Sequence, residues 1–326
     1  MTEPPPAREN PWRRRLRGGA AAAILVAAVV WALHGVDVGA VRHAMARVRP
    51  GWLFAAAAAN LLAVLLQAVR WRALVRPLAP SVTLGSTFKA LVVGNAVSLA
   101  VPARAGELAR IQWFAVRTGL PRASILGSVG LDFLVNAATL AVGLLLAPLI
   151  LPVPSWLRGA VAIVALLIVG AVFALRALRP AAGAAPSRLA TSGPLRRLGS
   201  VLARARHGLA ATGNARALAG SFLAAVGSWI VEANVIAHAL RAMGIHLPWP
   251  AAVAVLIGVN VALAVPFAPP GNAGTLEAGA TIGLVGFGVS KDEALAFALV
   301  YHLLQIVPIA ILGALFAGRA ASGGPS

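Results

Sequence analysis

The sequence has no cysteine, which excludes disulfide bonds, cysteine nucleophiles and thiolate metal sites. Acidic residues are also scarce, with 9 Asp and Glu against 28 Lys and Arg in 326 residues. Charged residues make up only 11% of the chain and aromatic residues 6%, whereas hydrophobic residues make up 60%. This composition excludes an ordinary soluble globular domain and predicts an integral membrane protein.

The net charge of +19 has two explanations. A basic chain can bind nucleic acid, but membrane proteins retain Arg on the cytoplasmic side, where it also attracts anionic lipid heads. The second explanation suits this composition, so we expect membrane lipids as partners and no nucleic acid.

No segment between the apolar stretches is large enough for a soluble domain, so we predict a single membrane domain over residues 18–318. Residues 1–17 are a basic tail, and residues 319–326 are a short polar tail. The start of the chain resembles a signal peptide, but no small-residue cleavage context follows Trp31. We therefore expect a retained first helix.

Full transmembrane helices need about 20 apolar residues to cross a hydrocarbon core of about 30 Å. Six stretches suit this role: residues 18–33, 51–69, 123–151, 158–175, 217–240 and 294–317. This order places most Lys and Arg residues in the cytoplasm, including the Arg-rich loop 176–216. It predicts a multi-pass protein of the cell inner (plasma) membrane with both termini cytoplasmic. Arg70, Trp71 and Arg72 are expected to anchor the second span at the membrane interface.

Two further apolar stretches, within residues 84–151 and 249–317, are interrupted by Pro and Gly. Pro102 stops the first helix, and the arm that follows is only about 20 Å long. The second stretch runs from Pro266 through several Pro and Gly residues into another short arm. Broken helices persist at membrane depth only where protein or a wet cavity satisfies their backbone groups. We therefore predict two re-entrant or broken helices.

The two interrupted stretches also repeat one another. Leu-Ala-Val-Pro occurs at residues 99–102 and again at 263–266, each time before a Gly-containing turn, a Glu, a short arm and a full span. The predicted topology inserts the first break from the cytoplasm and the second from outside. The expected fold is an all-α polytopic membrane protein, with about six full transmembrane helices and two re-entrant or broken helices in an inverted repeat, as in secondary transporters.

Polar residues near the breaks are candidate binding residues. An ionised side chain at the bilayer centre costs about 2.5–3.5 kcal/mol, so such residues usually pair, line a cavity or contact a substrate. Arg104 offers a fork of donors suited to phosphate, and the helix restarting near Gly106 would present its N-terminus to the same anion. Alternatively, Arg104 pairs with Glu107 to hold the turn. The candidate substrate-binding residues are Asn95, Arg104, Gly106, Glu107, Arg110, Asp132, Asn260, Gly271, Gly274 and Glu277.

Glu107 and Glu277 lie near the starts of their short helices, where a carboxylate can cap N–H groups. Their alternative role is proton coupling or gating, because a buried carboxylate can switch its charge. The residues considered for coupling or gating are Glu107, Glu232, Glu277 and His302.

Asp132 and Glu232 are isolated acids within spans, and we expect them to partner Arg104 or Arg110 across the bundle. Asp132 shares one helical face with Asn136, four residues on. Free carbonyls of the broken helices are expected to accept hydrogen bonds from Asn95 and Asn260. No metal-ligand spacing, nucleotide loop or nucleophile elbow is found, so we expect no catalytic residue, metal or cofactor and no enzyme activity.

The breaks carry two motifs. The first is an Asn, then Pro-x-Arg-x-Gly-Glu and a further Arg, at Asn95, Pro102, Arg104, Gly106, Glu107 and Arg110. The second is Pro-Gly-x-x-Gly-x-x-Glu followed by Gly-Val-Ser, at Pro270, Gly271, Gly274, Glu277 and residues 288–290. With these motifs, residues 18–318 resemble the transmembrane-region family of lysylphosphatidylglycerol synthases, also called flippase-like domain proteins.

The resemblance implies lipid translocation between leaflets through a central polar cavity, with an anionic-headgroup, polyprenyl-linked or hopanoid-type envelope lipid as substrate. The alternative is a non-catalytic membrane subunit that partners an enzyme of lipid or glycan assembly. Members often carry Glu-Arg-x-x-Asp, where this chain has Ser128, Val129 and Asp132, and an Arg where it has His302. Because the sequence lacks the aminoacyl-transferase domain of the full synthases, lysyl transfer is not expected.

Overall fold

The computed structural model describes residues 46–101, 105–150, 214–263 and 269–321, together with Gly39 and Gly159. Across these ranges it contains eight α-helices, one 3₁₀ turn at Pro270–Asn272 and no strand. The helices are α1 (Pro50–Val75), α2 (Leu84–Ala100), α3 (Ala105–Thr118), α4 (Arg122–Ile150), α5 (Ala215–Ala242), α6 (Trp249–Leu263), α7 (Thr275–Val285) and α8 (Lys291–Ala321).

Several predicted features fall outside the described residues. They are the N-terminal tail, the span 18–33, Arg104, the last residues of the C-terminal tail, and nearly all of the span 158–175 and the Arg-rich loop 176–216.

Four helices, α1, α4, α5 and α8, are long and apolar enough to cross a membrane. They correspond to four of the six predicted spans, and the all-helical membrane fold class is confirmed. Their starts follow ordinary capping chemistry: Pro50 occupies the first turn of α1, and the Asn214 side chain accepts a hydrogen bond from Ala217 N at 3.1 Å at the start of α5.

The other four helices are shorter, with 17 residues in α2, 14 in α3, 15 in α6 and 11 in α7. At 1.5 Å per residue they reach about 16–26 Å, less than the hydrocarbon thickness of about 30 Å. They pack as two pairs, α2 with α3 and α6 with α7. None of these four helices is therefore long enough to cross the hydrocarbon by itself.

Both pairs cross at a contact between two glycines. A Cβ atom on Gly94 would lie 2.8 Å from the carbonyl oxygen of Gly106, and one on Gly258 would lie 2.5 Å from that of Gly279. A carbonyl of a helix backbone cannot move aside cheaply, so these positions require glycine. Close backbone approach at small residues is the usual way in which helices pack in membranes.

The first half of the described chain is formed by α1–α4 and the second half by α5–α8, and each half has an apolar core. In the first half, Trp71 of α1 packs with Phe114 of α3 and Ile125 of α4. In the second half, Ile236 of α5, Val255 of α6 and Phe297 of α8 belong to one cluster, together with residues of α7. The halves are joined by the extensive contact of α1 with α5 and by α8, which also packs on α2.

We predict that Gly279→Ala lowers the free energy of unfolding by about 1–3 kcal/mol, because its Cβ would lie 2.6 Å from the Gly258 carbonyl oxygen. The measurement is thermal unfolding of the purified protein in detergent. Gly130→Ala is the control, since nothing lies within 4 Å of a Cβ at that exposed helical position. Equal midpoints for the two variants would contradict the crossing.

Candidate functional site

The second break is built by two glycines in left-handed conformations. Gly271, in the 3₁₀ turn, has φ of 61°, and Gly274, just before α7, has φ of 78°. These values favour glycine, which explains the Pro-Gly-x-x-Gly part of the motif. The Gly274 N–H donates to Oε2 of Glu277 at 2.8 Å. The predicted capping role of Glu277 is therefore confirmed.

His302 of α8 ties this break to the long helix behind it. Its Nε2 donates to the carbonyl oxygen of Gly271 at 2.7 Å, because that oxygen can only accept. Its Nδ1 lies 2.5 Å from Oε1 of Glu277. A proton lies between these two atoms, and which of them donates depends on the tautomer of the ring. The imidazole thus bridges the Gly271 carbonyl and the Glu277 carboxyl group.

The two breaks lie side by side. A Cβ atom on Gly271 would lie 3.7 Å from the carbonyl oxygen of Leu99, near the end of α2, and 3.8 Å from Ile306 Cδ1 of α8. The 3₁₀ turn of the second break is thus in van der Waals contact with the helix that leads into the first break.

Next to the first break, Asp132 of α4 joins two arginines. Its Oδ1 accepts from Nε of Arg70 at 2.7 Å, and its Oδ2 accepts from Nη2 of Arg70 and Nη2 of Arg110, both at 3.3 Å. Arg70 also donates to Oδ1 of Asn136. All three charged side chains are buried, and Asp132 is only 1% exposed. A carboxylate between two guanidiniums ties α1, α3 and α4 together.

Arg110 connects this cluster with the start of α3. Its guanidinium carbon lies 3.8 Å from the centroid of the Trp71 ring, and its Nη1 is 3.6 Å from Oε2 of Glu107. The Nε of Arg110 is buried and has no hydrogen-bond partner in the described chain. The Glu107 side chain is 31% exposed, but its Oε2, which faces Arg110, is buried and has no hydrogen-bond partner in the described chain.

The partnership predicted for Asp132 and Arg110 is confirmed. Glu232 accepts from Nε2 of Gln67 at 3.0 Å and has no contact with Arg110, while Arg104, its other predicted partner, lies outside the described residues. Asn260 donates to the carbonyl of Leu256 at 2.8 Å, one turn back in its own helix, while residues 264–268 of the break lie outside the described residues. The i to i−4 geometry of α6 places that carbonyl within easier reach.

Asn95 and Gly106 lie on α2 and α3, the two helices that flank the first break. Asn95 is half-buried and has no hydrogen bond within the described ranges, whereas residues 102–104, which carry carbonyls of the break, lie outside them. Gly106 is buried at the crossing with Gly94, where a Cβ would also overlap Oγ of Ser98. Its described role is close packing of α2 and α3.

Arg70 was missed as a site residue, because its position beside Trp71 suggested an interface anchor. That interpretation is wrong, since Trp71 is fully buried and Arg70 is 6% exposed. The helix continues to Val75, so both residues lie within its packed length. The sequence feature that could have indicated Arg70 is the pair Asp132 and Asn136 on one face of α4, because two buried acceptors need a buried donor.

Metal binding finds no support in the described ranges, where no group of three or more His, Asp and Glu side chains could hold an ion. Acidic residues there contact arginine, histidine, glutamine, serine or backbone N–H groups instead.

We expect Asp132→Asn to destabilise the protein by about 3–5 kcal/mol, because it leaves two buried guanidiniums without their shared counter-charge. Thermal unfolding in detergent measures the effect. The matched control is Glu293→Gln, the same chemical change at an exposed carboxylate in the first turn of α8. If both variants unfold at the wild-type temperature, the buried cluster does not hold the three helices together.

The sequence was compared with known families and proteins. No curated protein matches the chain. The model of one family, described as the lysylphosphatidylglycerol synthase TM region, matches residues 19–313, well over half of the 326 residues. Together with four long apolar helices, this match makes the chain a multi-pass membrane protein. It belongs to the lysylphosphatidylglycerol synthase TM-region family.

Proposed function

We propose that this protein moves a lipid with an anionic head group, which could be a polyprenyl-linked or hopanoid-type envelope lipid, between the leaflets of the cell inner membrane. The observation that carries the proposal is the contact of the two breaks at Gly271 and Leu99, beside two clusters of buried charge. A head group crossing hydrocarbon needs polar groups at depth, and interrupted helices supply them.

The topology proposed for this function has six full spans and two re-entrant pairs. The lengths of α2, α3, α6 and α7 support it, since none reaches across about 30 Å. With both termini in the cytoplasm, the α2–α3 pair enters from the cytoplasm and the α6–α7 pair from outside. Access could then alternate as one half rocks against the other.

Within this proposal, Arg104 is the cation that meets the head group. It lies between Val101 and Ala105, at the break that the second half contacts. Arg110, whose Nε has no partner in the described chain, and the half-exposed Glu107 continue the polar path from there. The proton held by Glu277 and His302 gives the second break a group that could couple transport to proton movement.

We predict that the purified protein, reconstituted in liposomes, moves fluorescently labelled phosphatidylglycerol across the bilayer, measured by quenching the outer leaflet with dithionite. Arg104→Ala should slow the movement about tenfold or more, because a charge-assisted contact to phosphate is lost. Arg122→Ala, at the exposed start of α4, is the control and should leave the rate unchanged.

Absence of lipid movement with the wild-type protein, for the anionic, polyprenyl and hopanoid lipids alike, would contradict the proposal. It would favour the alternative of a membrane subunit that assists an enzyme of lipid or glycan assembly. Movement that persists in Arg104→Ala would retain the function but remove Arg104 from the site.

A further inference from the structure

A polar pocket lies at the end of the α2–α3 pair that is remote from the break. Its volume is about 570 Å³, and it is lined by the start of α2, the end of α3 and the loop before α2. The polar and aromatic side chains that line it include Ser81, Thr83, Ser86, Lys89, Trp113 and Arg117. We call this cavity the base pocket.

The base pocket is positively charged. Lys89 and Arg117 line it, whereas no Asp or Glu does. Neither cation forms a salt bridge with a carboxylate in the portions of the chain that the structure describes. Two cations facing one cavity without a counter-charge repel each other, and a bound anion would remove that repulsion.

Arg117 and the wall of the pocket have contacts that position them before any ligand binds. The guanidinium carbon of Arg117 lies 3.8 Å from the centroid of the Trp113 ring. On the other side, Arg72 Nε donates to the carbonyl of Val82 at 2.9 Å and fixes the loop. A preorganised site loses less conformational entropy when the ligand binds.

The start of α2 adds donors to this charge. The first N–H groups of a helix have no acceptor within it, and the helix dipole favours an anion there. Thr83 caps the N–H of Ser86 at 3.2 Å, whereas Gly85, which lines the pocket, carries no side chain that would cover the backbone. The helix start and the two cations thus face the same space.

We propose that the base pocket binds a phosphate-bearing anion. Its volume falls within the usual range of ligand pockets, about 300–1,000 Å³, and exceeds what a bare phosphate fills. The inference rests on the proposed function, in which the anion is a lipid head group at one end of its path. Lys89 is about 16 Å along α2 from the end of that helix, so the base pocket is separate from the first break.

The test measures binding to the intact protein in an uncharged detergent. The thermal midpoint is recorded against increasing concentrations of dihexanoyl phosphatidylglycerol and, in parallel, of inorganic phosphate. Dihexanoylglycerol, which lacks the phosphate, is the probe control. The wild type should show saturable stabilisation by at least one phosphate-bearing probe and none by dihexanoylglycerol.

The variant Lys89→Gln with Arg117→Gln removes both charges and keeps side-chain length, and it should weaken binding about tenfold or more. Arg122→Gln is the matched control outside the pocket and should bind like the wild type. Should the double variant unfold without ligand, Lys89→Gln alone is expected to weaken binding and to reduce its dependence on salt.

Stabilisation by dihexanoyl phosphatidylglycerol alone assigns the pocket to a lipid head group, and equal stabilisation by inorganic phosphate assigns it to free phosphate. No saturable effect of either probe, or equal affinity in the double variant, overturns the site. The transport assay is independent of this test. Binding without lipid movement would support the pocket and contradict the proposed function, whereas lipid movement without binding would support the proposed function and contradict the pocket.

Discussion

The satisfaction of backbone groups at a broken helix is the constraint on which this structure depends. Hydrocarbon offers no hydrogen bonds, so a helix that stops within a membrane needs protein around its loose end. Here the break at Gly271 receives a histidine, a capping glutamate and the end of α2. The short helices can approach because glycines stand at both crossings. The breaks, the glycines at the crossings and the buried charged side chains together meet this constraint.

The two halves solve this problem with different chemistry. Asp132 and His302 both lie about three turns into the helix that follows a short pair. Asp132 joins Arg70 and Arg110, and so braces the first pair through charge. His302 joins Glu277 and the Gly271 carbonyl, and so braces the second pair through a shared proton.

Much of the fold could be predicted from the sequence, because apolar runs and Pro/Gly interruptions report directly on helix length. The repeated Leu-Ala-Val-Pro segment also predicted that the breaks correspond. Side-chain contacts between residues that are far apart in the sequence were harder to predict. Arg70 resembled an interface anchor until the length of α1 and the acceptors on α4 placed it inside the bundle. Asn260 donates to a carbonyl of its own helix, and the sequence spacing alone cannot distinguish such a local hydrogen bond from one to a distant carbonyl.

The contact between the breaks is the central claim, and the absence of cysteine makes it directly measurable. The measurement is cross-linking of Leu99→Cys with Asn272→Cys by a short bifunctional thiol reagent, followed by cleavage at a protease site inserted within residues 176–213. The two halves should stay covalently joined. In the control pair, Ser81→Cys with Asn272→Cys, the halves should separate, because Ser81 lies in the loop before α2, at the end remote from the break. Separation of both pairs would show that the breaks lie apart and would contradict a single central site.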